Sequence, residues 1–568
     1  MQRKYWIKSL DKARLSRRQM LRGTAGVAVG LGGLAIVGCG DDDDDGGGGG
    51  GDGETNGSPT ASSSDIKRGG ELVIAIGEQP DGLSGSLNDS GKFDTFWQQI
   101  YNCLVWFDDN MVPTPDAAGL AASWERTDDT TWLFTLKEGI TFHDGTPFDA
   151  DAVVFNVERI LNPDTEAPAF AQWDPVFAGA EALGQYEVQF NLKRPDASIL
   201  GLLSDRGGVM ESPAAIELYG NDGIKENPVG TGPFKFQEWI KDDHITLARF
   251  DDYKADGDGA YPYLDSIKWQ IIPTETVLVE ALRAGDVGFA DLPIGAVEEF
   301  ESDENFTVQR KDGLGWLGWF LNCNLPPLDD LRVRQALAYS IDRDRLNELS
   351  YNGQSQPAVG PIWAALGDYY SPDLQGQTYD PDRARELLEE AGYAPGEVQI
   401  EISATPPAGQ AGYGVAGEQP EVVVQQMARE VGIEIEITPV GPDTFDRFWF
   451  VEQNLHGYSS GYSLRSDPGD MMFATYHRDG TYNAGHAEGD DPTKGSFDTV
   501  SDLIVEANSE YDVATRKELF NEAEQLIIDE VRSLFLETNF RVVAFNKKYD
   551  GFTFYGAGKG SYRMMHEV

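Results

Sequence analysis

Residues 420–440, PEVVVQQMAREVGIEIEITPV, place a helix pattern directly before a strand pattern, and this arrangement narrows the possible folds most. Val423, Met427 and Val431 recur at helical spacing, and Gly432 ends the run. Three isoleucines then alternate with glutamates, which is the period of a strand with one buried face. The stretch therefore predicts a helix that packs against a sheet.

A second helix of this kind is predicted at DPDRARELLEEAGY, with Asp380 as N-cap, Pro381 at the first helical position and Gly392 as the stop. TWLFTL, residues 131–136, alternates as a strand should. Helices that alternate with strands indicate α/β layers. The chain has 568 residues, too many for a single core, so we expect two or three domains.

The amino terminus has the layout of a secretory signal peptide. A basic region that contains Arg17 and Arg18 is followed by the uncharged 15-residue stretch TAGVAVGLGGLAIVG, which ends just before Cys39. SRRQML resembles a twin-arginine export signal, and IVGC resembles a lipobox in which Cys39 is lipidated. We expect a signal peptide over 1–38. A transmembrane helix is the weaker alternative, because it needs about 20 strongly apolar residues, and an ordinary unmodified Cys39 is another.

Residues 39–65 are rich in Asp, Gly and Ser and almost lack apolar side chains. Such a composition cannot bury enough surface to order itself, so it predicts a flexible acidic tether. With a lipid on Cys39, this tether would hold the globular part at the outer face of the cytoplasmic membrane.

The charge of the chain is strongly negative, at −50, with 95 acidic residues against 45 basic ones. Nucleic acid is disfavoured as a partner, because phosphate binding needs clustered Lys and Arg. Repulsion among so many carboxylates is relieved when salt screens them. We therefore expect a protein from a salt-loving organism.

Sequence motifs typical of enzymes and of cofactor or metal binding are scarce. We therefore expect no catalytic residues, no cofactor and no metal site. The sequence lacks a Gly-x-Ser-x-Gly elbow, a Walker loop and a His-Glu-x-x-His motif. His477 and His486 lie near acidic residues in a loop-like stretch, where metal binding is the alternative to a structural role. Cys103 and Cys323 lie in apolar segments and are predicted to be small buried side chains, with a disulfide as the alternative.

A family resemblance rests on four stretches that occur in a fixed order. The first is a long motif at 101–161 that begins with YNCLVWFDDN. Three shorter motifs follow, at 227–239 (NPVGTGPFKFQEW), 328–346 (LDDLRVRQALAYSIDRDRL) and 379–393 (YDPDRARELLEEAGY). Together they resemble the family 5 extracellular solute-binding proteins, the peptide and nickel receptors of ABC importers. The resemblance extends from Gly69 to the C-terminus.

This resemblance implies an α/β fold of the periplasmic-binding-protein type, with two lobes joined by crossing strands and an extra subdomain on lobe I. The implied segments are 66–315 for lobe I, about 101–229 for its subdomain, 316–535 for lobe II and 536–568 for the return to lobe I. The crossings are expected near WFLNCN (319–324) and FLETNFRVV (535–543). Independently of the resemblance, RVRQALAYSIDRDRL predicts a buried stripe of Val333, Leu337 and Ile341. Four charged residues are then expected to point outward: Arg332, Arg334, Asp342 and Arg343.

The resemblance also implies binding without catalysis. The protein would be a monomeric receptor, not an enzyme, that captures a small organic ligand between its lobes and delivers it to ABC permease subunits. A peptide-like or other polar solute is expected. The alternatives are a nickel or metal-chelate receptor, a sensor that does not transport, and a lipid-anchored hydrolase. The sequence does not identify the ligand.

Four aromatic residues are candidates for the lining of the cleft. These are Trp97 and Tyr101 from lobe I, and Trp316 and Trp319 near the hinge. Core packing is the alternative for each of them. Because Trp316 and Trp319 are three apart in a predicted strand, they should face opposite ways, and at most one should reach the ligand.

The last candidate is GYSLRSDPGD, residues 461–470. In the family's peptide receptors, a stretch similar to Ala-Asp-Tyr-x-Asp-Pro supplies an aspartate for the peptide ammonium, but Leu464 occupies that place here. Arg465, Asp467 and Pro468 fit a pattern similar to Trp-x-Gly-Arg-x-Asp-Pro, from which Tyr462 and Leu464 depart. A guanidinium holds a carboxylate through two parallel hydrogen bonds. We predict that Arg465, with Tyr462 and Asp467 beside it, binds an acidic or strongly polar acceptor group of the ligand, and that a free N-terminal amine is not the main group recognised. The alternative is a surface ion pair between Arg465 and Asp467.

Overall fold

The computed structural model describes most of the chain after the tether, at residues 66–88, 94–115, 118–257, 261–404, 418–439, 449, 452–463, 465–483, 485, 489–555 and 558–568. Lys67–Val568 form one compact unit. Within these described residues, no helix is both long and apolar enough to cross a membrane. The predicted export signal at Arg17 and Arg18 and the predicted lipid site at Cys39 lie outside them, as do Leu464 and His486.

A seven-stranded mixed sheet is the largest in the described residues. From one edge to the other its strands are Phe306–Lys311, Arg541–Asn546, Phe289–Asp291, Glu71–Ile76, Ser266–Ile271, His244–Arg249 and Phe234–Ile240. Glu71–Ile76 is parallel to both of its neighbours, and the other pairs are antiparallel. The helices Asp94–Ile100, Glu275–Ala284 and Val297–Ser302 pack against it. Because Arg541–Asn546 lies inside the sheet, the C-terminal segment returns to the structure formed by the first third of the chain.

A four-stranded antiparallel sheet forms a separate layer, with strands in the order Ala121–Asp128, Thr131–Leu136, Glu187–Leu192 and Phe177–Gly184. Trp132, Phe134 and Leu136 are buried, which confirms the alternation predicted for this strand. The helix Ala150–Leu161 packs on the sheet, and its N-cap Asp149 accepts a hydrogen bond from the backbone N–H of Ala152 at 3.2 Å. The remaining helices before residue 230 are Phe170–Trp173, Ile199–Leu202 and Pro213–Gly223. We call these two sheets and their helices lobe I.

The second lobe, lobe II, is built on a five-stranded sheet with the order Ile433–Pro439, Val398–Ala404, Gly457–Ser463, Gly315–Leu321 and Ser533–Thr538. The first three strands are parallel, and Gly315–Leu321 is antiparallel to both of its neighbours. Its helices are Leu331–Tyr339, Arg343–Tyr351, Pro381–Glu390, Pro420–Glu430, Pro468–Tyr476, Phe497–Ser509 and Val513–Asp529. Each face of the sheet buries its own apolar cluster.

Short elements complete the described structure. Two-stranded ribbons pair Trp106–Phe107 with Pro113–Thr114, Asp490–Asp491 with Gly495–Ser496, Tyr549–Asp550 with His566–Glu567, and Thr553–Tyr555 with Lys559–Ser561. 3₁₀ turns occur at Pro163–Thr165, Arg206–Gly208, Ile294–Ala296 and Ala364–Tyr369. The ribbon that contains Lys559 belongs to lobe I, and Lys559 lines a cavity between the lobes.

The local helix signals are confirmed in lobe II. Asp380 caps Pro381–Glu390 by accepting from the backbone N–H of Arg383 at 2.9 Å. Gly392 and Gly432 follow the two predicted helices with φ of 90° and 95°, a conformation that glycine adopts without strain. The helix, turn and strand read from residues 420–440 are therefore present as predicted.

The prediction that Arg343 points outward is wrong, because its guanidinium donates to the backbone carbonyls of Phe535 at 2.9 Å and Gln377 at 3.1 Å. The same prediction is wrong for Arg334. Its side chain is fully buried, and its guanidinium donates to the backbone carbonyls of Glu530 at 2.9 Å and Leu328 at 2.8 Å, and to that of Lys494. A guanidinium has five N–H donors and no acceptor, so it can join three chain segments through their carbonyls. Helical periodicity alone cannot distinguish such an arginine from a solvated one.

The chain passes between the lobes twice, once through residues 312–314 and once through residues 539–540. The two crossings lie side by side, because Leu314 N–H donates to Asn539 O at 2.9 Å and Asn539 N–H donates to Gly315 O at 3.0 Å. The second crossing falls inside the predicted 535–543. The first lies before WFLNCN, whose first residues belong to a central strand of lobe II.

Cys103 and Cys323 are free thiols with buried side chains. Each packs in the interior of a different lobe. The prediction of two small buried side chains is confirmed, and the alternative of a disulfide between them is wrong.

Candidate ligand-binding site

The lobes meet at an ion pair. Arg465 follows the lobe II strand Gly457–Ser463, and its guanidinium donates a short hydrogen bond to a carboxylate oxygen of Asp205 in lobe I. Both residues are buried, with exposed fractions of 9% and 8%. The alternative of a surface pair between Arg465 and Asp467 is therefore wrong, and the arginine instead joins the two lobes.

Asp467 has a different partner. Its two carboxylate oxygens accept from the two terminal nitrogens of Arg516, both at 2.7 Å, and it also caps the helix Pro468–Tyr476 by accepting from Gly469 N–H at 2.7 Å. Burial alone would lower the pKa of Arg516, but Asp467 and Tyr369 outweigh it and raise that pKa. Asp467 therefore fixes the loop that carries Arg465.

A second cation reaches Asp205 from within lobe I. The ammonium of Lys559 lies 3.5 Å from Asp205 Oδ1, and only 3% of the Lys559 residue is exposed. Burial would raise the pKa of Asp205, but Arg465, Lys559 and Arg206 together outweigh it and hold that pKa well below its usual range. Asp205 is therefore a carboxylate at neutral pH.

Asp470 contributes a titratable group beside this pair. Its Oδ2 lies 3.7 Å from Arg465 Nε and accepts a 3.4 Å hydrogen bond from the Gln172 amide of lobe I. Burial raises the pKa of Asp470 to about 7, with Asp205 and Asp467 adding to the rise and Arg465 opposing it. The site is thus poised to change charge near neutral pH.

A small cavity opens between the lobes next to Lys559. Its volume is about 20 Å³, enough for about one water molecule. The lining includes Gln98, Tyr101 and Ser204 of lobe I and Ser466 of lobe II. In the described form this cavity has no room for a ligand larger than water.

A second contact between the lobes lies away from the cavity. Tyr511 of lobe II packs under the guanidinium of Arg126, with 3.8 Å from Cζ to the ring centroid, and accepts a hydrogen bond from Asp196 N–H at 3.1 Å. Ala197 N–H also donates to Asn508 O at 2.6 Å. The described form is therefore one in which the lobes touch at more than one place.

The predicted site residues fall into two groups. Tyr462 lies beside Arg465, with its ring centroid 5.5 Å from Arg465 Cζ. Tyr101 lines the cavity, and the ring of Trp97 lies 5.8 Å from the Lys559 ammonium. The structure brings these three residues close to the ion pair.

Trp316 and Trp319 lie elsewhere. Both are fully buried in lobe II, and they belong to the apolar clusters on opposite faces of the sheet, so their predicted opposite orientation is confirmed. Trp316 packs edge-on against Phe535, with 4.8 Å between ring centroids. In the described form this packing role accounts for both side chains.

Asp205, Lys559, Gln98 and Ser466 were missed by sequence reasoning. Asp205 and Arg465 are 260 residues apart, and no motif links them. The only local signal for Lys559 is its position between two glycines.

The described residues contain no group of three or more His, Cys, Asp or Glu side chains that could hold a metal ion. His477 is buried, and its Nδ1 accepts from Asp479 N–H at 3.0 Å. This hydrogen bond gives His477 a structural role in its loop.

Two mixed-sheet lobes that meet around a small cavity form the architecture of a two-lobed binding protein. The profile described as bacterial extracellular solute-binding proteins, family 5 Middle, matches residues 117–485, and the chain belongs to this family. It is a substrate-binding receptor of the ABC-importer type, with the two-lobed fold of periplasmic binding proteins.

Among curated proteins, the chain is similar to the glutathione-binding protein GsiB of Pectobacterium atrosepticum, with 28% identity over 490 residues, 85% of this chain and 91% of the relative. Among solved structures, the chain is similar to the periplasmic binding protein DppA of Helicobacter pylori in complex with the peptide STSA. The TM-score is 0.76 and the identity is 24%, and the match covers 88% of this chain and 98% of DppA. NikZ of Campylobacter jejuni in complex with Ni(L-His) has a TM-score of 0.71, 22% identity, and coverage of 86% and 99%. At these identities, the two structures show the shared fold.

Proposed function

We propose that the protein is a lipid-anchored receptor that captures a small anionic or strongly polar organic solute, such as a peptide, between its lobes and presents it to an ABC permease. The observation that carries the proposal is the buried guanidinium of Arg465 at the contact between the lobes. Burying an arginine is costly without a negative partner. In the described form Asp205 is that partner. An acidic group of the ligand would bind the same guanidinium of Arg465.

The relatives support a peptide-like ligand. One curated relative is named for glutathione, which is a small peptide with two carboxylates, and one structural neighbour holds the peptide STSA. Leu464 stands where the family's peptide receptors have the aspartate that binds a peptide ammonium. The site is therefore not expected to recognise its ligand mainly through a free amine.

Ligand binding would couple to lobe closure. A ligand that contacts both lobes stabilises the form in which they lie together, and a permease can recognise that form. The anchor at Cys39 would keep the receptor near the permease. No step in this cycle needs covalent chemistry.

A thermal-shift screen in strong brine tests the proposal. The probes are glutathione, Ser-Thr-Ser-Ala, the nickel–histidine chelate and neutral oligosaccharides. A ligand at one hundred times its dissociation constant stabilises the native state by about 2.7 kcal/mol. We expect glutathione or the peptide to raise the melting temperature. A rise with the nickel chelate alone would favour the metal receptor, and no rise with any probe would contradict the proposal.

A further inference from the structure

Lys559 is a buried cation with few partners. It lies in the short ribbon Thr553–Tyr555/Lys559–Ser561 of lobe I, is 3% exposed, and lines the cavity between the lobes. Within the part of the chain that the structure describes, its ammonium forms one ion pair, with Asp205 at 3.5 Å. That distance is longer than an ordinary hydrogen bond, so within the described residues the ammonium has an ion-pair partner but no hydrogen-bond acceptor.

Asp205 cannot compensate both cations fully. One of its oxygens already takes the short hydrogen bond from Arg465, and the other lies 3.5 Å from Lys559. The nearby Asp470 is 3.7 Å from Arg465 and is also held by Gln172, so it adds no contact to Lys559. The ammonium and the guanidinium thus share Asp205, while Asp470 lies beside the guanidinium alone. A buried cation that lacks full compensation favours a further anion.

The same cavity presents an acceptor with no donor. Gln98 Oε1 is buried and has no hydrogen-bond partner within the described residues. Gln98 and Lys559 both line the cavity. A group that satisfies both must carry an anionic oxygen for the ammonium and, next to it, an N–H for the amide oxygen.

We propose that Lys559 and Gln98 form the lobe I half of a subsite for a carboxylate that carries an adjacent N–H, as the C-terminal residue of a peptide does. Lys559 binds the carboxylate on the side opposite Arg465, and Gln98 accepts from the amide N–H. The carboxylate is thereby held between a cation of each lobe. This inference rests on the proposed function and adds to it the end of the ligand that is recognised and the residues that recognise it.

The side chains around the subsite suit a small planar group. Ser204 of lobe I and Ser466 of lobe II line the cavity, and Trp97 lies 5.8 Å from the ammonium. Hydroxyl groups can donate to carboxylate oxygens, and the aromatic face favours the cation in the position that it now occupies. The lysine is therefore held in place before a ligand arrives.

Calorimetric titrations in strong brine test the subsite with a matched pair of probes. Ser-Thr-Ser-Ala and its C-terminal carboxamide have the same side chains and differ by one negative charge. We expect the wild type to bind the acid about tenfold or more tightly than the amide, as for a charge-assisted contact. The variant Lys559→Met should bind the two within about threefold of each other, and Lys559→Arg should keep most of the preference.

Two further variants distinguish an effect on the subsite from a loss of folded structure. Lys547→Met removes an exposed lysine from the same lobe and should behave as the wild type. Gln98→Glu places a carboxylate beside Lys559 and should weaken binding of the acid about tenfold, with the amide little affected. A melting temperature close to that of the wild type identifies the variants that fold.

Three results would overturn the inference: a folded Lys559→Met variant that keeps the wild-type preference, a wild type that binds acid and amide equally, or a wild type that binds only ligands without a carboxylate. The first two leave the proposed function in place, because the protein still binds a solute. Failure of every probe in the thermal-shift screen would instead contradict the proposed function itself.

Discussion

Glu524 offers a direct test of how burial sets the pH dependence of stability. It lies on the helix Val513–Asp529 and is 1% exposed. One carboxyl oxygen accepts from Ile362 N–H at 2.9 Å, and the other, Oε2, has no hydrogen-bond partner in the described residues. Burial raises the pKa of this carboxyl to about 8, and the hydrogen bond from Ile362 opposes the rise only in part.

The sign follows from linkage between protonation and folding. The folded protein keeps the Glu524 proton up to about pH 8, whereas the unfolded chain releases it above the ordinary pKa of 4.5. The contribution of Glu524 to stability is therefore complete below pH 4.5 and is lost as the pH rises towards 8. At about 1.4 kcal/mol per pH unit, the loss amounts to at most about 5 kcal/mol.

The variant Glu524→Gln removes the titration and keeps the acceptor for Ile362 N–H. Urea unfolding followed by circular dichroism, at constant strong salt between pH 5 and pH 8, gives the free energy of unfolding of each protein. We expect wild-type stability to fall relative to the variant by about 2 to 4 kcal/mol over this range. The slope with pH is the readout, because the amide also changes the absolute stability.

Glu522→Gln on the same helix is the matched control, since this side chain is exposed, and it should keep the wild-type slope. If Glu524→Gln has the wild-type slope as well, Glu524 is ionised in the folded protein and the reasoning from burial fails.

Three further predictions concern other parts of the chain. Cys39→Ser should abolish lipid attachment, so that the protein is released or left unprocessed; unchanged membrane retention and processing would contradict this. The net charge of −50 predicts unfolding in dilute buffer and stability in about molar salt, where the Debye length falls to about 3 Å, and a melting temperature that does not change with salt would contradict this. Arg516→Met should destabilise the native state by about 3 to 5 kcal/mol by leaving Asp467 buried and unpaired, and adding Asp467→Asn should restore part of the loss. Urea unfolding measures both effects, and a loss below about 1 kcal/mol would show that the pair matters little.

The local elements of the fold could be predicted because their signals lie within a few residues of one another. Asp380 as N-cap and Gly432 as a positive-φ stop are local features, and both are present. Burial of Arg334 could not be predicted, because its three carbonyl partners come from segments 6 to 196 residues away. The two-lobed arrangement and its crossing strands were implied by the family resemblance.

The site was predictable only in part for the same reason. Arg465 could be identified because a family pattern extends over Asp467 and Pro468 beside it. Its partner Asp205 and the lysine at 559 come from distant segments that only folding brings together. The tryptophans of the central lobe II strand were candidates on residue type, and their burial in two separate clusters depends on neighbours that the local sequence does not show.

In the proposed receptor, the guanidinium between the lobes binds the solute. Isothermal titration of glutathione and Ser-Thr-Ser-Ala into wild type and Arg465→Met, with the exposed Arg385→Met as control, measures what this guanidinium contributes. We expect Arg465→Met to weaken binding about tenfold or more, equal to about 1.4 kcal/mol, while Arg385→Met binds as the wild type does. If the affinity of Arg465→Met lies within about twofold of the wild type, Arg465 does not hold the ligand, because so small a loss is below that of a charge-assisted contact.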